Sequence, residues 1–136
     1  MPEIKQYVTE TGVSPFALWT ETLSDEALIR VQTAIARIEQ GNKGDVKPVG
    51  EGVSERRITF GPGYRVYFGQ DGADLVLLLI GGTKTRQQQD ISKAQEYWAD
   101  YKRRKAIEAR KKAPPDTAKP DKKRKKNEGK NRKKGM

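Results

Sequence analysis

The fold is decided by residues 53–81, which read VSERRITFGPGYRVYFGQDGADLVLLLIG. Three runs rich in β-branched, aromatic and aliphatic residues are separated by two groups of turn-forming residues, a pattern typical of consecutive antiparallel strands. The predicted strands are 53–60, 64–69 and 75–81, separated by Gly61-Pro62-Gly63 and by Asp71-Gly72-Ala73-Asp74. We therefore predict an antiparallel meander whose last strand, apolar on both faces, is the most deeply buried and is closed by Gly81-Gly82.

Two helices are predicted upstream of the meander. Each begins at a serine, because Ser14 is followed by a proline and Ser24 by two acidic residues, which favour a first helical turn. The apolar residues at helical spacing are Phe16, Leu18, Trp19 and Leu23 in the first helix and Leu28, Val31, Ile35 and Ile38 in the second. We expect these helices to form an antiparallel hairpin that ends at Gly41-Asn42, after a short strand at residues 4–9.

A third helix is predicted after the meander. Its apolar residues at helical spacing are Ile91, Ala94, Tyr97, Trp98 and Tyr101. A basic extension continues this helix until Pro114-Pro115 stops it, and the glycine-rich residues 41–52 are predicted as a loop. The element order is therefore β-α-α-β-β-β-α, an α+β fold in which an antiparallel sheet has its helices on one face.

Charge divides the chain into a domain and a tail. The 136 residues carry 28 basic and 18 acidic side chains, a formal net charge of +10. Residues 1–101 hold 11 basic and 14 acidic side chains, whereas residues 102–136 hold 17 and 4. We predict a folded domain at 1–101, a basic extension of the last helix at 102–112 and a disordered lysine-rich tail at 113–136. Such a tail is either a solvated extension or a nonspecific anchor that binds RNA through counterion release.

The composition excludes several kinds of chemistry. The chain contains no cysteine and no histidine, so disulfides, thiolate nucleophiles, a Ser-His-Asp triad and the common zinc sites are ruled out. The longest apolar run, Leu75–Ile80, is far shorter than the ~20 residues that a membrane-spanning helix needs. We expect a soluble, cytoplasmic protein with no membrane span and no secretory signal.

Five of the 11 basic residues of the domain fall on the meander and its flanks. They are Arg56, Arg57, Arg65, Lys84 and Arg86, and Tyr64 and Tyr67 lie among them. If the meander forms, Arg57 and Arg65 lie on adjacent strands and Lys84 follows the next one. Guanidinium and ammonium groups gathered in this way bind phosphates, and a tyrosine ring can stack on a base.

Two interpretations of this cluster remain open. Arginines on a strand are often solvated or paired with surface carboxylates, and the two tyrosines are also typical core residues. Alternation places Arg65 and Tyr67 on one face of the sheet and Tyr64 on the other, so at most one tyrosine shares the face of Arg65. Lys47, in the glycine-rich loop, is a weaker candidate for contacting a phosphate.

Several blocks of the sequence carry a family resemblance. They are FALW at 16–19, GNKGDVKPVGEGVSERRI at 41–58, GPGYRVYF at 61–68, GGTK at 81–84 and DI at 90–91. With this order and spacing, residues 3–101 resemble the addiction-module killer proteins, a branch of the RelE/ParE (HigB-like) toxins of type II toxin–antitoxin systems. The sequence departs from the family pattern at Arg56, Thr83 and Thr85, where the family usually has Leu, Asp and Ser.

The resemblance implies the fold of that superfamily and a toxin that cuts mRNA on the ribosome without a metal ion or other cofactor. It also implies a neighbouring antitoxin, usually a helix-turn-helix repressor. By position in the family pattern, Arg57 and Arg65 stabilise the phosphate, and Lys84 transfers a proton or contacts the phosphate. The weaker RNA-binding candidates are Arg56, Tyr67, Arg86 and Lys47.

The same resemblance leaves a second class of function open. Members of the ParE type poison gyrase and do not cut RNA, and fold alone does not separate the two activities. The alternative is therefore a non-catalytic toxin, or a module that binds RNA or DNA, built on the same fold.

Overall fold

The predicted meander forms the centre of a five-stranded mixed sheet. The computed structural model describes residues 1–112. Its elements are β1 (Glu3–Gln6), α1 (Pro15–Thr20), α2 (Asp25–Glu39), β2 (Val46–Pro48), β3 (Val53–Ile58), β4 (Tyr64–Asp71), β5 (Leu75–Thr83), a 3-10 turn (Lys84–Arg86) and α3 (Gln87–Lys112). Met1–Lys102 form one compact unit that holds the whole sheet, and the α+β class predicted from the sequence is confirmed.

The strand order across the sheet is β1-β5-β4-β3-β2. The β3–β4 and β4–β5 pairs are antiparallel, as predicted, but β1 pairs in parallel with β5, so the expectation of a wholly antiparallel sheet is wrong. The predicted loop at 41–52 also contains a short edge strand, β2, which pairs with β3. The sequence of β2 is Val-Lys-Pro, too short to show alternation, and an edge strand tolerates its proline.

Helices cover both faces of the sheet, and the expectation of helices on one face is wrong. The core on the first face joins Phe16, Val31 and Ile38 of α1 and α2 to Val66, Phe68, Val76 and Leu78 of the sheet. The core on the second face joins Ala94 and Trp98 of α3 to Tyr67, Leu77 and Leu79. The cause lies in β4 and β5, whose side chains are apolar in both directions and therefore need cover on both sides.

Both serine caps form as predicted. The hydroxyl of Ser14 accepts a hydrogen bond from the backbone N–H of Ala17 at 3.1 Å, and that of Ser24 accepts one from Ala27 at 3.2 Å. α1 lies on β5 and α2 on β3, and the two helices contact each other less than they contact the sheet. Leu18, expected on the buried side of α1, is exposed.

Two tryptophans pack directly on the sheet where glycine leaves room for a ring. A Cβ atom added at Gly69 would collide with the indole of Trp98, and one added at Gly81 would collide with that of Trp19. Gly81 and Gly82 therefore lie inside β5, which continues to Thr83, and the prediction that they close the strand is wrong. This longer β5 carries Lys84 to the β3–β4 turn, where its N–H donates to the carbonyl of Gly63 at 2.9 Å.

α3 spans 26 residues, Gln87–Lys112. Ala94 and Trp98 are buried against the sheet. The helix continues through residues 102–112, the segment that was predicted as its basic extension. The predicted stop at Pro114-Pro115 and the predicted disorder of residues 113–136 lie outside the described residues. Over residues 1–112, no helix combines the length and the hydropathy needed to cross a membrane.

Candidate functional site

Three cations predicted to act together line one cleft of about 450 Å³ beside the β3–β4 turn. Arg57 on β3 is directly opposite Arg65 on β4 in the sheet register, so both side chains leave the same face. Lys84 is the first residue of the 3-10 turn, which begins directly after β5, and this position brings it to the same cleft as the two arginines. Asp45 and Phe60 complete the polar and the aromatic parts of the cleft wall.

Arg57 and Asp45 form an exposed ion pair, called the edge pair below. Nη2 of Arg57 donates to Oδ1 of Asp45 at 2.9 Å, and the backbone N–H of Arg57 donates to the carbonyl of Asp45 at 2.9 Å. The side-chain hydrogen bond between them lowers the pKa of the Asp45 carboxyl and raises the pKa of Arg57. The pair orients Arg57 while about a third of its side chain, 37%, stays accessible.

Arg65 contacts a buried carboxylate, that of Glu55, which the sequence analysis missed. Nε of Arg65 lies 3.7 Å from Oε2 of Glu55, which is fully buried, and the Arg65 side chain is only 11% exposed. The same Oε2 accepts hydrogen bonds from the hydroxyl of Tyr67 at 3.1 Å and from Nε2 of Gln87 at 2.6 Å. Glu55, Arg65, Tyr67 and Gln87 are called the buried cluster below.

Tyr67 is part of the core. Its side chain is 0% exposed, and its hydroxyl donates to Glu55. Burial raises the pKa of this hydroxyl, and the neighbouring Glu55 charge raises it further, so the group stays protonated as a donor. A ring without an exposed face cannot stack on a base, so this placement contradicts the predicted RNA contact of Tyr67.

Arg56 lies on the other face of β3 and does not line the cleft. Its register partner is Val66, which belongs to the core under α1 and α2. The guanidinium donates to the carbonyl of Arg57 and packs against Gly44, where an added Cβ would lie 2.8 Å from Nη2. Burial lowers the pKa of Arg56. This arginine fastens the loop before β2, and its predicted RNA-binding role has no support from its position.

Lys47 and Arg86 also lie outside the cleft. Lys47 lines a separate cavity of about 390 Å³ against the first turns of α3. Arg86 lines another, of about 540 Å³, together with Trp19 and the buried carboxylate of Asp90. Of the seven candidates, Arg57, Arg65 and Lys84 line this cleft together, whereas Arg56, Tyr67, Lys47 and Arg86 do not line it.

Comparison with known proteins identifies a relative. No family model matches the chain. An uncharacterized protein of Haemophilus influenzae (strain Rd KW20) is 41% identical over 80 residues, which span 58% of this chain and 81% of that protein. The two proteins belong to one family.

The cleft has the chemistry of an anion-binding site. Arginine forks bind phosphate oxygens through two parallel hydrogen bonds, and lysine adds a mobile point charge. Besides the two arginines, the amino group of Lys84 and the carboxyl group of Asp45 line the cleft. The cleft therefore combines two guanidinium groups with an amine and a carboxylate, which are side-chain types used in general acid–base chemistry.

Proposed function

We propose that this protein is the toxin of a type II toxin–antitoxin system, and that it cleaves mRNA on the ribosome without a metal ion. The observation that carries the proposal is the convergence of Arg57, Arg65 and Lys84 on one cleft. These are the three positions at which the RelE/ParE resemblance implies catalytic residues. The four-strand core of the sheet with its three helices supports the same superfamily topology, to which β2 adds an edge strand.

The proposed reaction is a transesterification within the RNA. The 2′-hydroxyl attacks the adjacent phosphorus, the bond from phosphorus to the 5′ oxygen breaks, and the products are a 2′,3′-cyclic phosphate and a 5′-hydroxyl. Arg57 and Arg65 stabilise the additional negative charge of the pentavalent phosphate. The 2′-hydroxyl loses a proton and the 5′ oxygen gains one. We assign Lys84 as the group that carries this proton between the two oxygens.

The partners follow from the same proposal. The toxin acts on mRNA in the cytoplasm, at the ribosome, and a helix-turn-helix antitoxin holds it inactive. Residues 102–136, with 17 basic and 4 acidic side chains, are proposed to add nonspecific affinity for ribosomal RNA. Such binding is predominantly electrostatic, so its contribution falls as the salt concentration rises.

The test is transcript cleavage mapping after brief induction in bacterial cells, with translation running or blocked. Wild type is compared with Arg65→Ala, and Arg37→Ala on the exposed face of α2 is the matched control. We expect translation-dependent cuts in wild type and in the control, and a loss of about 100-fold or more in Arg65→Ala, the size seen when one transition-state donor is removed.

Other outcomes would contradict the proposal in distinct ways. Growth arrest without cuts would replace it by the alternative, a ParE-like gyrase inhibitor or a nucleic-acid-binding module. Cuts that persist in Arg65→Ala would remove the cleft from the mechanism. Unarrested growth of cells that contain the wild-type protein at normal levels would contradict the assignment of this protein as a toxin.

A further inference from the structure

We propose that Glu55 is a positioning residue, whose buried carboxylate holds Arg65 and the turn that carries Lys84 in one arrangement. Its catalytic consequence rests on the proposed function, whereas the arrangement itself can be tested without RNA. Glu55 does not line the cleft and is fully buried, so it acts on a substrate only through its neighbours.

Three elements meet at a single oxygen atom of this carboxylate. Glu55 lies on β3, and its Oε2 accepts from Tyr67 on β4 and from Gln87 at the start of α3. Nε of Arg65, also on β4, faces the same oxygen at 3.7 Å. The carboxylate therefore joins the start of α3 to the β3–β4 hairpin next to the cleft.

Gln87 extends this connection to Lys84. Its backbone N–H donates to the carbonyl of Lys84 and closes the 3-10 turn, while its side chain donates to Glu55. At the other end of the turn, the N–H of Lys84 donates to Gly63 between β3 and β4. The turn that carries Lys84 is thus fixed to the sheet at both ends, once through Glu55.

Stability alone does not explain a carboxylate at this position. Removing a charge from water is costly, and apolar residues of similar volume often stabilise a protein core as well as a buried ion pair does. The pair is also imperfect, because Oε1 of Glu55 and Nε of Arg65 are buried without a hydrogen-bond partner among residues 1–112. We therefore explain the buried carboxylate of Glu55 by its effect on Arg65, which it holds at the cleft wall.

The charge of Glu55 and its contact with Arg65 act in opposite directions: the charge weakens anion binding, whereas the contact favours the chemical step. It offsets part of the positive charge of Arg57, Arg65 and Lys84, so its removal makes the cleft more positive and favours anion binding. The loss of the contact to Arg65, in contrast, displaces a cation from the reacting phosphate and slows the chemistry. A residue needed only for folding would weaken binding and chemistry together.

The test uses the full chain with Glu55→Gln, which keeps the size of the side chain and removes its charge. Glu96→Gln, at an exposed position of α3, removes the same charge as the matched control. Single-turnover cleavage of mRNA on programmed ribosomes gives the rate, and binding of a 2′-deoxy oligonucleotide, which cannot be cleaved, gives the affinity.

We expect opposite changes in Glu55→Gln. The cleavage rate falls by about tenfold or more, since small displacements at a reacting centre are costly. The affinity for the 2′-deoxy oligonucleotide stays the same or rises by up to about threefold, as expected for one charge at partly screened distance. Glu96→Gln changes neither quantity.

A second readout follows Arg65 directly and does not depend on RNA cleavage. The Nε–H signal of Arg65 in ¹⁵N NMR spectra, assigned with Arg65→Lys, is expected to be distinct and protected from solvent exchange in wild type and in Glu96→Gln. In Glu55→Gln it is expected to shift and lose protection. Gln87→Met removes one donor without changing the charge and serves if Glu55→Gln does not fold; its cleavage rate is expected to fall while its affinity is unchanged.

The outcomes separate this inference from the proposed function. If wild type cuts no RNA but the Arg65 signal changes in Glu55→Gln, the positioning role stands and the nuclease proposal fails. If wild type cuts RNA and Glu55→Gln cuts it equally fast with an unchanged Arg65 signal, the positioning role is overturned. A parallel loss of affinity and rate in Glu55→Gln or in Gln87→Met would also overturn it.

Discussion

The edge pair and the buried cluster hold two facing arginines in contrasting environments. Arg57 meets Asp45 where the side chains are 37% and 52% exposed, whereas Arg65 meets Glu55 where they are 11% and 0% exposed. An exposed ion pair adds little to stability and is screened by salt. A buried one is costly to break, because the remaining charge has no water to replace its partner.

This contrast suggests a division of labour under the proposed function. Arg57 can exchange Asp45 for a phosphate at small cost, because water solvates the carboxylate that it leaves. Arg65 cannot leave Glu55 so easily, and it therefore presents its guanidinium from a fixed position. The edge pair is suited to capturing the RNA backbone, and the buried cluster to defining where the phosphate sits.

The largest effect is expected from breaking the buried cluster with Glu55→Ala. This change leaves Arg65 without its counter-charge and leaves the Tyr67 and Gln87 donors without an acceptor. We expect a loss of about 3–5 kcal/mol in the free energy of unfolding, measured by chemical denaturation. A loss below about 1 kcal/mol, within the range of surface pairs, would remove the distinction between the two regions.

An intermediate effect is expected from Tyr67→Phe. The ring still fills its place in the core, and only the hydroxyl that donates to Glu55 is lost. We expect a loss of about 1–2 kcal/mol by the same denaturation measurement, since a hydrogen bond to a charged acceptor is stronger than a neutral one. Unchanged stability would mean that Gln87 and Arg65 alone satisfy the carboxylate.

The smallest effect is expected at the edge pair and is best seen by titration. Because Arg57 lowers the pKa of Asp45, the NMR titration midpoint of this carboxyl should lie below its usual value of 3.8 and return to it in Arg57→Ala. With a lowered pKa in the folded state, any stability from the pair is present above pH 3.8 and is lost as the pH falls through the folded-state pKa.

At neutral pH, Asp45→Asn should leave the denaturation midpoint within experimental error of wild type. A change as large as that of Tyr67→Phe would show that the edge pair is structurally equivalent to the buried cluster, contrary to its exposure.

The three strands of the meander and the starts of α1 and α2 were predictable because local rules determine them. The Gly61-Pro62-Gly63 turn and the period-two alternation set the register of β3 against β4, and this register alone places Arg57 opposite Arg65. Ser14 and Ser24 cap their helices through contacts only three residues long.

The buried cluster was not predictable, because it depends on packing between distant segments. In the sequence Glu55 resembles any polar residue of a half-exposed strand, and only the placement of α3 over that face buries it. Gln87, which satisfies its carboxylate, is 32 residues away. For the same reason the sequence left the core and the stacking interpretations of Tyr67 both open, and the packing of α3 favours the core interpretation.

The close packing of Trp19 and Trp98 on Gly81 and Gly69 gives the protein two natural optical reporters. The indoles rest on opposite faces of one sheet, each in contact with a different set of helices. Intrinsic fluorescence of single-tryptophan variants can therefore follow the α1–α2 side and the α3 side separately during refolding. Whether the two layers consolidate together or in sequence becomes visible without attaching any label.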